Sequence, residues 1–160
     1  MFDNSSASAW RQRLQALWSE HIPLARAMQV EIRRLDSAGL QLAAPLEPNR
    51  NHVGTAFGGS LQGLATLAGW GVTLVTADGP GDIRVVIGAC QMRFLAPVAG
   101  ELIATAGWPD AATAAAFRAR LAAQQRARLV VAVEIGAPVQ GAAARFSGEF
   151  AARLEPAGGA

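Results

Sequence analysis

Lysine is missing altogether: all 14 basic residues are arginine, they face 12 acids, and the formal net charge is only +2. The arginines run from Arg11 to Arg153 with no cluster longer than Arg33–Arg34, so the footprint of a nucleic-acid binder is not visible. Nucleic acid is therefore not an expected partner. Cysteine is nearly absent too. Cys90 alone excludes a disulfide framework and a cysteine-based zinc site, and it fits a reducing, cytoplasmic setting. No metal site is expected. The opening residues MFDNSSASAWRQRLQALW lack a basic segment followed by an apolar core, so they do not read as a secretory signal. Neither an internal repeat nor a low-complexity linker divides the chain. With 160 residues, 51% hydrophobic and 16% charged, the sequence 1–160 reads as one domain with a sizeable core and apolar surface left for a subunit interface.

The most telling absence is local. From Val53 to Ala77 no residue carries a formal charge, which in a soluble protein means a segment enclosed on nearly every side. A central buried helix over about residues 58–77 follows. As a bilayer span the run is too polar, being broken by Gly58, Gly59, Gly63, Gly69 and Gly71 and by Ser60, Gln62, Thr66, Thr73 and Thr76, so no membrane partner is expected. Its start is the chemically interesting end. Unpaired N–H groups at a helix N-terminus make a site for a carbonyl oxygen or an anion, and Gly58 and Gly59 let a substrate approach that backbone.

The flanking segments can wrap such a helix. Trp10, Leu14, Leu17 and Trp18 predict an amphipathic helix over 6–22, capped by Ser6 or Ser8 and ended or kinked at Pro23. His21 then serves the C-terminal dipole. Alternation over Gln29–Arg34 and Gly39–Ala43 with a turn at Asp36–Gly39 predicts a hairpin, and Pro45 and Pro48 demand an irregular connection. After a turn at Asp78–Asp82, Ile83–Leu95 is apolar on both faces, as a central strand would be. Gln91 and Arg93 break one face, which suggests that it opens there onto a polar site or an edge. Strands are further expected at Glu101–Trp108, Arg126–Ile135 and Ala142–Leu154, with a helix over 111–125 capped by Asp110 and a frayed tail at 155–160. The whole is α+β: a curved, mainly antiparallel sheet around one long helix.

The run Asn51-His52-Val53-Gly54-Thr55-Ala56-Phe57-Gly58-Gly59, followed by Leu64 and Thr66, resembles the hotdog-fold acyl-CoA thioesterases. Their signature is Asn, two residues, Gly, two residues, His-Gly-Gly, and then an acid on the helix. Asn-x-His-x-x-Thr-x-Phe-Gly-Gly-Ser-Leu with Gly69-Trp70-Gly71 is more narrowly similar to the YiiD-type thioesterase family, over roughly residues 24–154. The resemblance implies a hotdog fold, an acyl-CoA or acyl-carrier-protein thioester as substrate, and a homodimer or dimer of dimers. It implies no cofactor beyond the coenzyme A of the substrate. Two departures matter: Phe57 stands where the signature has His, and Thr66 where it has the acid.

The expected catalytic set is Asn51, His52, Gly58, Gly59 and Thr66, and the expected substrate-binding set is Thr55, Phe57, Ser60, Gln91 and Arg93. Gly58 or Gly59 donates an N–H to the thioester carbonyl. His52 is a general base, and Asn51 orients a water or the carbonyl; both could instead only satisfy their loop. Thr66, on a stripe with Gly59, Gly63, Trp70 and Thr73, either holds a water or bonds a backbone carbonyl. Trp70 reads as core or dimer packing. Glu101, Glu134 and Glu149 are the remaining acids for such a site, and Arg50, Arg118 and Arg126 the candidates for coenzyme A phosphates. Beside hydrolysis, a non-catalytic acyl-thioester binder and a hydroxyacyl-thioester dehydratase remain open.

Overall fold

The computed structural model describes residues 4–79, 82–136 and 141–155. Two helices, α1 (Asn4–His21) and α2 (Pro23–Ala27), lead into the hairpin β1 (Glu31–Asp36) and β2 (Gly39–Ala44). A 3-10 turn at Glu47–Asn49 precedes the long helix α3 (Gly58–Ala77). Then follow β3 (Asp82–Phe94), β4 (Leu102–Ala106), α4 (Ala111–Gln124), β5 (Arg126–Ile135) and β6 (Ala144–Glu155). The strands form one antiparallel sheet in the order β1-β2-β4-β5-β6-β3. Helix α3 packs against every strand but β1, so the sheet curves around it. This is the α+β hotdog architecture that the sequence implied.

Close approach is what lets the sheet and α1 enclose α3. A Cβ on Gly69 would lie 2.5 Å from the Phe150 ring of β6, and one on Gly71 would lie 2.7 Å from Leu40 and 3.3 Å from Trp18. Phe150, Leu40 and Trp18 are almost wholly buried, and they join the single core around α3. Thr73 and Thr76 return their hydroxyls to the carbonyls of Gly69 and Val72, so both enter the core satisfied. Among the described residues, no helix is long and apolar enough to cross a membrane.

The local signals behave as their chemistry dictates. Asp36 accepts from the Ala38 N–H at 2.8 Å and Gly39 takes φ +139° where a Cβ would strike the Ala106 carbonyl, which closes the hairpin. Asp110 caps α4 by accepting from the Thr113 N–H at 2.8 Å and its hydroxyl at 2.7 Å, bonds that hold its carboxyl below the ordinary value.

Four readings need correction. Helix α1 already includes Ser6 and Ser8, so neither caps it. Pro23 does not merely end it but starts α2, at the position where its missing N–H costs nothing. Gln29 then turns at φ 57°, and the first strand begins only at Glu31. The largest correction concerns β3, which is an edge strand paired only with β6. Its apolar residues on both faces leave Val86 62% and Phe94 55% exposed rather than buried. Pro80 and Gly81 of the expected turn, and 156–160 of the expected tail, lie outside the described residues.

The Gly69–Phe150 contact yields a direct test. Alanine at position 69 gains about 1 kcal/mol of helix propensity, yet its methyl has no room beside the ring, an overpacking cost of about 1–3 kcal/mol. Gly69→Ala is expected to lower the urea-unfolding free energy by up to about 2 kcal/mol, the overpacking cost less the propensity gained. Combination with Phe150→Leu should recover part of that loss; a stability raised by the full propensity gain in Gly69→Ala alone would contradict the packing described.

Candidate functional site

The N-terminus of α3 is built by a short loop that folds onto itself. The Asn51 side chain accepts from the Val53 N–H at 3.0 Å and the Thr55 N–H at 3.1 Å, and donates to the Thr55 hydroxyl at 2.9 Å and the Ala56 carbonyl at 3.3 Å. The hydrogen-bonding capacity of the Asn51 side chain is thereby spent on the loop, whereas the Thr55 hydroxyl accepts one of these bonds and keeps its own donor. Gly54 makes the turn at φ 85°. His52 stands exposed at the tip, with no hydrogen-bond partner among the described residues.

A residue that the sequence reading passed over anchors this loop. Asn49 is 1% exposed; its side-chain amide donates to the Met28 carbonyl at 2.9 Å and the Pro45 carbonyl at 2.8 Å, while its backbone carbonyl accepts from the Phe57 N–H at 2.7 Å. It thus ties α2, the end of β2 and the start of α3 together. Its position between Pro48 and Arg50 offered no signal beyond a polar loop.

Phe57 is the extended residue before the helix, and its carbonyl accepts from the N–H groups of Ser60 and Leu61. The N–H groups of Gly58 and Gly59 have no protein acceptor among the described residues. Two free donors therefore point out of the positive end of a 20-residue helix that holds no acid in its first turn. Two rings flank them. A Cβ on Gly59 would meet Phe57 at 2.4 Å and one on Gly58 would meet Phe94 at 3.3 Å, and both rings are more than half exposed. The donors sit in an apolar frame, which suits a carbonyl oxygen on an apolar chain.

Further along α3, one face looks at β3. Gln62 donates to the Cys90 thiol at 3.6 Å and the Trp70 indole to the Val85 carbonyl at 2.8 Å, with Thr66 between them on the same face. Trp70 also packs against Trp18, with ring centroids 6.4 Å apart. Thr66 is half-buried, and neither its hydroxyl nor that of Ser60 has a partner among the described residues. The carbonyl bond that Thr73 and Thr76 make is not made by Thr66.

Gln91 and Arg93 are not brought to this site. The pairing of β3 with β6 slips between Ile87 and Ala89, and from there Cys90, Met92 and Phe94 stand opposite Gly148, Phe146 and Ala144 on the helix-facing side. Gln91 and Arg93 stand opposite the exposed Ser147 and Arg145, on the outer face. Gly88 inside the strand was the sequence signal for that slip. The residues missed at the site are accordingly Gln62, Cys90 and Phe94.

The remaining acids are engaged by arginines: Glu101 with Arg33, Glu134 with Arg145 at 3.3 Å, and Glu149 with Arg128. Arg50 pairs with Glu47 at 3.3 Å. Arg118 reaches the Thr76 carbonyl at the far end of α3, about 27 Å from Gly58 by helix rise. Among the described residues no three of His, Cys, Asp and Glu gather as a metal site would require.

Comparison with known proteins agrees with this geometry. The family model described as "Putative thioesterase (yiiD_Cterm)" matches residues 11–154. A protein of unknown function from Chlorobaculum tepidum is 30% identical with a TM-score of 0.87, over 93% of this chain and 97% of that one. A thioesterase from Shewanella oneidensis, itself described as putative, is 27% identical with a TM-score of 0.75, over 92% of this chain and 99% of that one. The thioesterase HI1161 from Haemophilus influenzae, 15% identical with a TM-score of 0.67 over 90% of each chain, shares the fold. With the model covering nearly its whole length, the chain belongs to the yiiD_Cterm putative thioesterase family.

Proposed function

We propose that this protein is a hydrolase of acyl-CoA or acyl-carrier-protein thioesters, working in the cytoplasm as a homodimer. The observation that carries the reading is the pair of free N–H donors at Gly58 and Gly59, framed by Phe57 and Phe94. They receive the thioester carbonyl oxygen, and the helix dipole favours the negative charge that gathers there when water adds to the carbonyl carbon. The tetrahedral adduct then expels the thiolate, which leaves as the free thiol after protonation. Phe57, Phe94, Met92 and Val53 supply apolar contact for the acyl chain. The Ser60 hydroxyl lies within the first helical turn and serves the polar end of the substrate.

Water activation falls to Thr66, Gln62 and His52, since α3 carries no carboxylate. Thr66 rises about 10 Å along the helix from Gly59, too far for one carbonyl to meet both. In this reading the Thr66 that addresses a carbonyl at Gly58 comes from a second copy. The edge strand β3, with exposed apolar side chains on both faces, supports pairing with that copy. Asn51 and Thr55 act by holding the loop. The missing carboxylate favours a second reading, in which the same site binds an acyl thioester without cleaving it.

A panel of acyl-CoA esters with thiol release followed at neutral pH is expected to show turnover; intact acyl-CoA retained without turnover at any chain length would select the binder. Gly58→Pro removes one donor cleanly, because the preceding Phe57 is extended and the first helical position tolerates proline. It should lower kcat/KM about 10²-fold with stability changed by less than about 1 kcal/mol. Full activity in that variant would remove the Gly58 N–H from the mechanism. Sedimentation should give a mass twice the 16.6 kDa chain, and Ile87→Arg on the edge strand should yield monomer and lose turnover; an active monomer would sink the shared site.

A further inference from the structure

The outer face of the sheet, away from α3, carries a feature that thioester chemistry does not use. Arg153 of β6 stands directly opposite Arg126 of β5 on one side and Arg84 of β3 on the other, so three guanidinium groups lie in one row across three strands. The row spans about 10 Å at ordinary strand spacing. Arg128 follows one pleat further on, and Arg120 reaches in from α4. These five arginines line an open groove of about 710 Å3 whose floor includes Val86 and Ala151.

Like charges directly opposite in a sheet repel. Elsewhere on the chain Arg33, Arg34, Arg50 and Arg145 each have a carboxylate partner, while Arg11, Arg13, Arg26, Arg93 and Arg118 lack one among the described residues but are scattered singly. Here Glu155 reaches Arg84 at 3.5 Å and Glu149 engages Arg128, whereas Arg120, Arg126 and Arg153 have no carboxylate among the described residues. The groove thus concentrates positive charge in a chain whose net charge is only +2. We propose that it binds a small molecule bearing two or more clustered phosphate groups, which fork-shaped guanidinium donors hold and whose charge relieves the repulsion along the row. The volume is that of a small-molecule site. No aromatic ring among the described residues lines it, so they offer no stacking platform of the kind a single-strand nucleic-acid binder uses. The proposal stands on the groove's own geometry, although Arg126 is also a candidate for coenzyme A phosphates, and failure of thioester turnover would leave it untouched.

Titration calorimetry of the full chain with inorganic tripolyphosphate at low salt tests it. One tripolyphosphate per chain is expected, weakened about tenfold or more in Arg126→Gln/Arg153→Gln. Arg13→Gln/Arg50→Gln removes the same charge elsewhere and should leave the affinity within about twofold. Relief of the repulsion should keep the melting temperature of the groove variant at or above that of the parent; Arg120→Gln, on the surface of α4, provides a second variant that leaves the sheet untouched. Competition by ATP or coenzyme A would assign the phosphates to a nucleotide, and its absence to free polyphosphate. Equal loss in the control variant, monophosphate binding as tightly as tripolyphosphate, or an oligonucleotide binding more tightly per phosphate would each overturn the proposal.

Discussion

A helix without charge has to be walled in on nearly every side, and the rest of this structure answers that demand. The walls come close enough only because Gly69 and Gly71 leave hollows on α3. Phe150 fills one and Leu40 with Trp18 the other, so that β6, β2 and α1 each lie against the helix backbone. Burying each of these side chains contributes about 1.5–3 kcal/mol, and each depends on a missing methyl on the facing helix. The curvature of the sheet, the docking of α1 and the tilted contact of Trp18 with Trp70 follow from that one geometry.

Enclosure stops at the first turn. Leu61 and Leu64 are buried while Gly59 and Gln62 are exposed, so α3 emerges from the core with its donors free. What keeps that end in place is polar: Asn49 holds Phe57 from beneath, and Asn51 closes the loop above it. A rigid, half-exposed helix start is therefore the direct product of a buried helix and a self-satisfied loop. Neither asparagine needs to touch a ligand to matter, because a displaced Phe57 would redirect both donors.

Much of this was legible in the chain. The gap in charge that runs to Ala77, with Gly58 and Gly59 near its head, marked α3, and β5 runs from Arg126 to Ile135 as expected, its burial alternating although Leu129–Val133 is one apolar run. The failures have one cause each. Helix α2 is five residues long, too short for any periodicity to register. Gln91 and Arg93 were assigned to the wrong face because parity was carried through Gly88, where the strand slips by one residue and exchanges its faces. The edge position of β3, read only as an alternative at Gln91 and Arg93, was obscured for another reason. Apolar residues on both faces normally mean burial within one chain, and here they mark surface for which the single chain has no cover.

The two departures from the thioesterase signature are best weighed together. With Phe57 for histidine and Thr66 for the acid, the site loses a base and a carboxylate at once, and so remains neutral without a buried charge to compensate. In the proposed reaction the helix donors would still act on a developing oxyanion, an effect worth about 10²–10³-fold in rate. A positioned general base is worth a comparable 10²–10⁴-fold, and a hydroxyl such as that of Thr66 can place a water but takes up no proton at neutral pH. In the proposed reaction, recognition of the carbonyl and activation of the water are thus separable. The first would fall to the free donors at the start of α3, and the second to whatever His52 or a second copy brings to face it.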